Sequence, residues 1–256
     1  MKVINRIFSR GATRVTPRRQ LQVFGLTALC IGSCLFWQSS ATQAQTESLD
    51  KMTKAVKFDD VDEVRSLISQ GMDPNAGDNT GMPWLLIAAR EKSEKVAGLL
   101  LDNPKTDVDA LDKAGENALM FAAINKDLPL LKALIGKDAE VNKKGWTPLH
   151  YAATSGDVEI INVLLDESAY VDAASPNGTT PLMMAARGGS VEAVNALLRG
   201  GADPTLKNQL GLSAADFARQ NNNTDLAAAL DASANEIREQ RAKKAVAPVA
   251  ASAGGA

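Results

Sequence analysis

The chain has 256 residues but only two cysteines, Cys30 and Cys34, and both lie in an apolar run near the N-terminus. The rest of the chain therefore offers no thiol nucleophile, no cysteine-based metal site and no disulfide. A cysteine-free body tolerates an oxidising compartment, although this absence does not by itself indicate one.

Aromatic residues and histidine are also scarce. Phe, Trp and Tyr make up 4% of the chain against 45% hydrophobic residues in total, and His150 is the one histidine. This balance favours helices packed through alanine and leucine over a β-sandwich. Because no second histidine and no cysteine of the body can complete a site with His150, we expect it to have a structural role and not to act as a general base or metal ligand.

Acidic residues are absent from residues 1–44, which hold six of the 28 basic side chains. The remainder carries 22 basic against 30 acidic side chains, a net charge of −8. Nucleic-acid binding draws most of its affinity from basic surface, so we expect no nucleic-acid partner. The sequence also contains no phosphate-binding glycine loop, nucleophile elbow or His-Glu-x-x-His stretch. We therefore expect no cofactor and no metal.

One block recurs through the body at an interval of about 33 residues, and residues 145–153 are its clearest copy. Its glycine suits a positive φ, Thr147 can cap a helix, and Pro148 occupies a first turn, where it has no donor to lose. Leu149 and the following alanine pair then share one helical face. A second helix follows each block, and further copies open at Gly81, Gly115, Gly178 and Gly211.

The Thr147-Pro148-Leu149-His150 block, the alanine pair, and the Gly-Ala-Asp that closes a copy at residues 201–203 resemble the ankyrin repeat. The resemblance implies an all-α solenoid of about five ankyrin repeats plus a C-terminal capping repeat, over residues 45–231. It also implies that His150 bonds to neighbouring backbone. We expect residues 232–256 to form a charged helical segment and a disordered Ala/Pro/Gly tail.

Two copies depart from the pattern. Repeat two has Pro83-Trp84 in place of Thr-Pro, so its first helix lacks a capping hydroxyl, and we expect Trp84 to be half-buried. The turn before repeat four, residues 141–145, is about three residues shorter than the family pattern. We expect a notch in the row of turns at that point.

Residues 1–44 have the pattern of a secretory signal peptide, with basic residues, an apolar run from Val23 to Trp37, and small residues before a cleavage position after Ala44. Alternatives are a twin-arginine signal at Arg18-Arg19, a weak lipoprotein box at residues 31–34, a mitochondrial transit peptide, or an uncleaved anchor. The apolar run is shorter than the roughly 20 residues of a membrane span. We expect export across a bacterial inner membrane, so that the protein is periplasmic or otherwise exported.

In ankyrin proteins, the positions after the turn glycine and after the alanine pair face the partner. By resemblance, the partner-binding residues are Met82, Arg90, Glu116, Ile124, Trp146, Thr154, Thr179 and Arg187. The cluster of Ile124, Trp146, Thr154 and Arg187 is the strongest candidate. Trp146 either anchors a partner or packs on Tyr151 or the neighbouring turn.

These observations predict a non-enzymatic protein-interaction module, monomeric, that binds another protein through its concave face as a scaffold, accessory protein or inhibitor. Resemblance to exported bacterial ankyrin-repeat proteins implies an exported enzyme or a toxin as the partner. One alternative is a scaffold tethered to the membrane through residues 21–37. Another is an enzyme that uses paired carboxylates such as Asp59-Asp60 or Asp107 and Asp109.

Overall fold

The computed structural model describes residues 46–252, and the side chains of residues 46–244. The predicted signal peptide or anchor lies outside the described residues, as does the end of the chain from residue 253. The chain divides into two compact units, Met1–Ser48 and Leu49–Ala256, and the repeat architecture belongs to the second.

The described residues form twelve helices in six consecutive pairs. The first helix of each pair follows a turn, and these helices are α1 (46–57), α3 (Trp84–Glu91), α5 (Ala118–Ile124), α7 (Pro148–Ser155), α9 (Pro181–Gly188) and α11 (Ala214–Gln220). The second helices are α2 (Val61–Ser69), α4 (Glu94–Asp102), α6 (Leu128–Ile135), α8 (Val158–Asp166), α10 (Val191–Arg199) and α12 (Thr224–Ser252).

The helix pairs stack in two layers. From α3 to α11, each first helix contacts the first helix of the next pair, and from α2 to α10 each second helix contacts the next second helix. An isolated bridge between Gly77 and Pro83 is the one β-type pairing among residues 46–252. The fold is therefore the predicted all-α repeat solenoid.

The core is one buried cluster that runs from Met52 in α1 to Leu230 in α12. Its members repeat with the sequence period, since Leu149 and both alanines of the Ala152-Ala153 pair are fully buried, as are Leu119 and Leu182 at the matching positions. The alanines are small enough to let neighbouring helices approach closely, and each pair buries its apolar face against the next. Stability is thus shared between neighbours and is not held within a single pair.

The turns before the first helices, called fingers below, share one hydrogen-bond pattern. In four of them, the backbone N–H of Asp78, Asp112, Ser175 or Asn208 donates at 3.0 Å to the carbonyl oxygen four residues later. The glycine three residues after each of these donors has a φ between 75° and 85°. That region is strained for side-chain-bearing residues, and this accounts for the recurring glycine.

The sequence predicts a charged helical segment after residue 231, and that segment is helical. It continues the last helix of the repeats, because α12 runs without a break from Thr224 to Ser252. Its alanine-rich sequence has high helix propensity, and the Arg241 guanidinium bonds the Asp203 carboxylate at 2.7 Å. None of the helices within residues 46–252 has the length and apolar character needed to cross a membrane.

Candidate functional site

Seven of the eight predicted partner-binding side chains lie on one surface, called here the first-helix face. Met82, Glu116 and Trp146 follow the glycines of successive fingers, and Arg90, Ile124, Thr154 and Arg187 lie in or next to the last turns of α3, α5, α7 and α9. All seven are partly or fully exposed. The repeat period places them in two neighbouring rows.

Thr179 is the exception and corrects the prediction. Its side chain is only 2% exposed. Its backbone N–H donates to the Ser175 hydroxyl at 2.9 Å, and its carbonyl oxygen lies 2.9 Å from Nε2 of His150. These bonds draw the residue into the junction between two repeats, so its side chain is not available to a partner.

His150 holds repeat four to the finger of repeat five. Its Nδ1 accepts the Thr147 backbone N–H at 3.1 Å and lies 2.9 Å from the Thr147 hydroxyl. The ring proton is therefore assigned to Nε2, which donates to the Thr179 carbonyl oxygen. Burial lowers the pKa of His150 to about 4, so the ring is neutral at pH 7. Thr147 and His150 form a capping box at the start of α7, in which the Thr147 hydroxyl also lies 2.9 Å from the imidazole.

A pocket of about 220 Å³ opens on the first-helix face beside this histidine. It is lined by Ile124, Trp146, His150, Tyr151, Thr154 and Met184, and is called the apolar pocket below. The Trp146 ring meets the His150 ring edge to face, with centroids 5.1 Å apart and planes at 75°. Since His150 is fixed by two repeats, it holds the indole in place.

Tyr151 also lines the apolar pocket. Its hydroxyl donates to the carboxylate of Glu116 from the preceding finger. Burial, reinforced by this hydrogen bond, raises the pKa of the Tyr151 phenol well above its usual range. The bond orients Tyr151 and engages one oxygen of Glu116.

The shortened finger of repeat four opens a second cavity next to the first. Asn142 bonds the following repeat through Tyr170 N–H as Asp172 does through Asp203 N–H, but it precedes its finger glycine by three residues instead of six. No finger-closing hydrogen bond from Asn142 to Trp146 forms among the described residues. The predicted notch is thus present as a cavity of about 350 Å³.

This cavity, called the lysine notch below, shares Trp146 and Tyr151 with the apolar pocket. Its polar lining comes from Glu116, Lys143 and Lys144. The Lys143 ammonium donates a hydrogen bond to the carbonyl oxygen of Gly115. This bond joins the shortened finger of repeat four to the finger of repeat three. The two cavities therefore flank one tryptophan, one apolar and one with two lysines.

The structure brings together three of the four residues of the strongest predicted cluster, namely Ile124, Trp146 and Thr154. Arg187 does not line the apolar pocket. Met82 and Arg90 form a separate contact, in which Nη1 of Arg90 lies 3.0 Å from the Met82 sulfur, and Arg90 also pairs with Glu91 at 2.9 Å. Sequence reasoning missed Tyr151 and Met184, although both hold the same position in their repeats, two residues after the buried leucine.

The carboxylates considered for catalysis have structural roles. Asp59 accepts the Val96 backbone N–H at 2.8 Å, and Asp60 accepts that of Glu63 at the start of α2. Asp109 accepts the Glu140 N–H at 2.8 Å, which joins two repeats. No group of three or more His, Cys, Asp or Glu residues suited to a metal occurs in the described part of the chain.

Comparison with known proteins agrees with this geometry. Residues 101–175 and residues 119–208 match the family model described as ankyrin repeats in three copies. Residues 101–208 therefore contain ankyrin repeats. The matched residues extend from the end of α4 to the finger of repeat six and include both cavities.

Curated relatives with ankyrin repeats match about half of the chain. Neurogenic locus notch homolog protein 2 of Homo sapiens is 32% identical over 143 residues, which are 54% of this chain and 6% of that protein. Transient receptor potential cation channel subfamily A member 1 of Homo sapiens is 27% identical over 51% of this chain and 14% of its own length. Putative ankyrin repeat protein FPV022 of fowlpox virus is 36% identical over 44% of this chain and 19% of its own length.

The chain thus spans less than a fifth of each of these relatives. Ankyrin repeats are a non-enzymatic fold for protein–protein interaction, and the similarity supports that general role. These relatives are animal and viral proteins, so they lend no support to the predicted resemblance to exported bacterial proteins, which stays a prediction.

Proposed function

We propose that this ankyrin-repeat chain is an exported scaffold, accessory protein or inhibitor that binds one partner protein through the first-helix face. The apolar pocket beside Trp146 is the observation that carries the proposal. A partly exposed tryptophan beside an apolar pocket is the kind of feature that dominates binding energy at protein interfaces. The basic and apolar pattern of residues 1–44 supports export, with an exported enzyme or a toxin as the partner.

Preorganisation is the proposed mechanism. His150 and Glu116 already fix the Trp146 and Tyr151 rings through contacts between repeats. Binding therefore orders few side chains, and the entropic cost, about 0.5–1.5 kcal/mol for each mobile side chain, is largely avoided.

Affinity capture tests the proposal directly. The full chain and its Trp146→Ala variant are used as baits in extract from the native compartment, and captured proteins are identified by mass spectrometry. Tyr170→Ala is the matched control, because Tyr170 is an aromatic residue with 68% exposure that lines neither cavity. The partner should be lost from the Trp146→Ala bait and retained by the control. Equal capture by all three baits would remove the first-helix face from the proposal.

Export has a separate test. N-terminal sequencing of the protein from cells should give a start at Gln45. A start upstream of Val23 would contradict cleavage and favour the membrane-tethered alternative.

A further inference from the structure

We infer that the surface around Trp146 recognises an extended acidic segment of its partner. One large apolar side chain of that segment fills the apolar pocket, and neighbouring carboxylates lie over the lysine notch. The inference rests on the proposed function and adds the chemistry of the partner to it.

The size and lining of the apolar pocket select a single side chain. At about 220 Å³, it is smaller than the roughly 300–1,000 Å³ of typical small-molecule sites. Two aromatic rings and the side chains of Ile124 and Met184 form most of its wall. An apolar side chain of the partner would bury itself there without leaving a polar group unpaired.

The lysine notch supplies the charge. Lys143 and Lys144 line it together with one carboxylate, that of Glu116, which already accepts the Tyr151 hydroxyl. No carboxylate among residues 46–244 forms an ion pair with either lysine. The lining of the notch therefore carries more positive than negative charge. The notch adjoins the apolar pocket, because Trp146 and Tyr151 line both. Lys144 is exposed.

The charge on the rest of the molecule sharpens this contrast. Exposed acidic side chains in the first turns of second helices, on the other layer, are Asp62, Glu63, Glu94, Glu159 and Glu192. Beyond residue 44 the chain carries a net charge of −8. On the first-helix face, Lys113 and Arg187 add exposed positive charge in the repeats on either side of the lysines, while the carboxylates of Glu116 and Asp112 lie near Tyr151. An acidic segment would be repelled by the molecule as a whole and attracted at this surface, which fixes where and how it docks.

The test uses three synthetic nine-residue peptides with a fluorescent label and the full chain, measured by fluorescence anisotropy. The first peptide has a central leucine flanked by aspartates and glutamates, the second has lysines in place of the acids, and the third has alanine in place of the leucine. The first should bind at least tenfold more tightly than either of the others, and its binding should weaken as salt is raised.

Charge reversal identifies the lysines responsible. The double variant Lys143→Glu/Lys144→Glu should weaken binding of the acidic peptide by about tenfold, because it replaces attraction with repulsion. Lys95→Glu makes the same kind of change on α4, outside both cavities, and should leave the affinity unchanged. Circular dichroism confirms that each variant is folded.

Three outcomes would overturn the inference. The first is that the lysine peptide binds as tightly as the acidic peptide or more tightly. The second is that the acidic peptide has the same affinity for the double variant as for the unmodified chain. The third is that no peptide binds. If native partner capture still depends on Trp146 in any of these cases, the proposed function stands and only the acidic chemistry fails. If Trp146→Ala leaves capture unchanged, both fail.

Discussion

Repeats two and four each carry a tryptophan at their opening, and the two have opposite surroundings. Trp84 is three residues after its finger glycine, at the first position of α3, and is completely buried. Trp146 directly follows its finger glycine and lies partly exposed between two cavities. A shift of two positions in the same repeat frame thus moves a tryptophan from the core to the first-helix face.

The N-terminal ends of α3 and α7 also differ, in how each is capped. The Pro83 side chain makes no capping bond to α3, whereas Trp84 Nε1 donates to the Asp73 carbonyl oxygen at 3.3 Å. At α7, Thr147 and His150 form a side-chain cap that also reaches the next repeat. Repeat two therefore depends on burial of a ring, and repeat four on hydrogen bonds that leave its own ring partly exposed.

Replacement of the two tryptophans should have very different effects on stability. Trp84→Ala should lower the free energy of unfolding by about 3–5 kcal/mol, because it leaves a large cavity in the shared core. Trp146→Ala should cost only about 1 kcal/mol, mainly the edge-to-face contact with His150. Urea unfolding followed by far-UV circular dichroism measures both. Similar losses in the two variants would contradict the contrast between the repeats.

The repeat period predicted most of the fold. It located the helix starts, the finger glycines and the buried leucines, since all of these follow from local geometry that recurs in each copy. It failed for Thr179 and Trp84, whose burial depends on contacts with neighbouring turns and repeats. The charged, helix-prone sequence after residue 231 predicted a helix, and α12 contains it.

The candidate site was predictable only in part, and for a physical reason. Ile124, Trp146 and Thr154 hold partner-facing positions in the frame, and the shortened finger was visible as a residue count. The role of Tyr151 depends on the length of the Glu116 side chain in the preceding repeat, and that of Met184 on the closeness of α7 and α9. Such distances between repeats are not encoded in a motif.

The cap of repeat four should make stability depend on pH. The pKa of His150 is about 4 in the folded chain against an ordinary value of 6.5, so between these values the unfolded chain binds a proton that the folded chain does not. The contribution of His150 is therefore complete above pH 6.5 and is lost as pH falls towards 4, by about 3 kcal/mol in all.

His150→Gln provides the control, because it removes this titration and leaves the carboxylates unchanged. The difference in unfolding free energy between the two proteins should shrink as pH falls from 6.5 to 4. Since the chain has one histidine, NMR of its ring proton also reports the pKa directly. A ring that titrates near 6.5 would show that the imidazole is not held neutral between Thr147 and Thr179.

Restoring the length of the fourth finger should change binding with little effect on stability. Insertion of Ala-Ala-Ser after Asn142 reproduces residues 173–175 of repeat five and places a serine N–H where it can donate to the Trp146 carbonyl oxygen. Three added residues in a surface turn change the free energy of unfolding by less than about 1 kcal/mol. The insertion would fill the lysine notch and displace Lys143, so the acidic peptide should bind several-fold more weakly. The same insertion between Lys207 and Asn208, away from both cavities, should leave binding unchanged. If the two insertions behave alike, the short finger of repeat four is a neutral deletion, and the contrast with repeat two reduces to the position of its tryptophan.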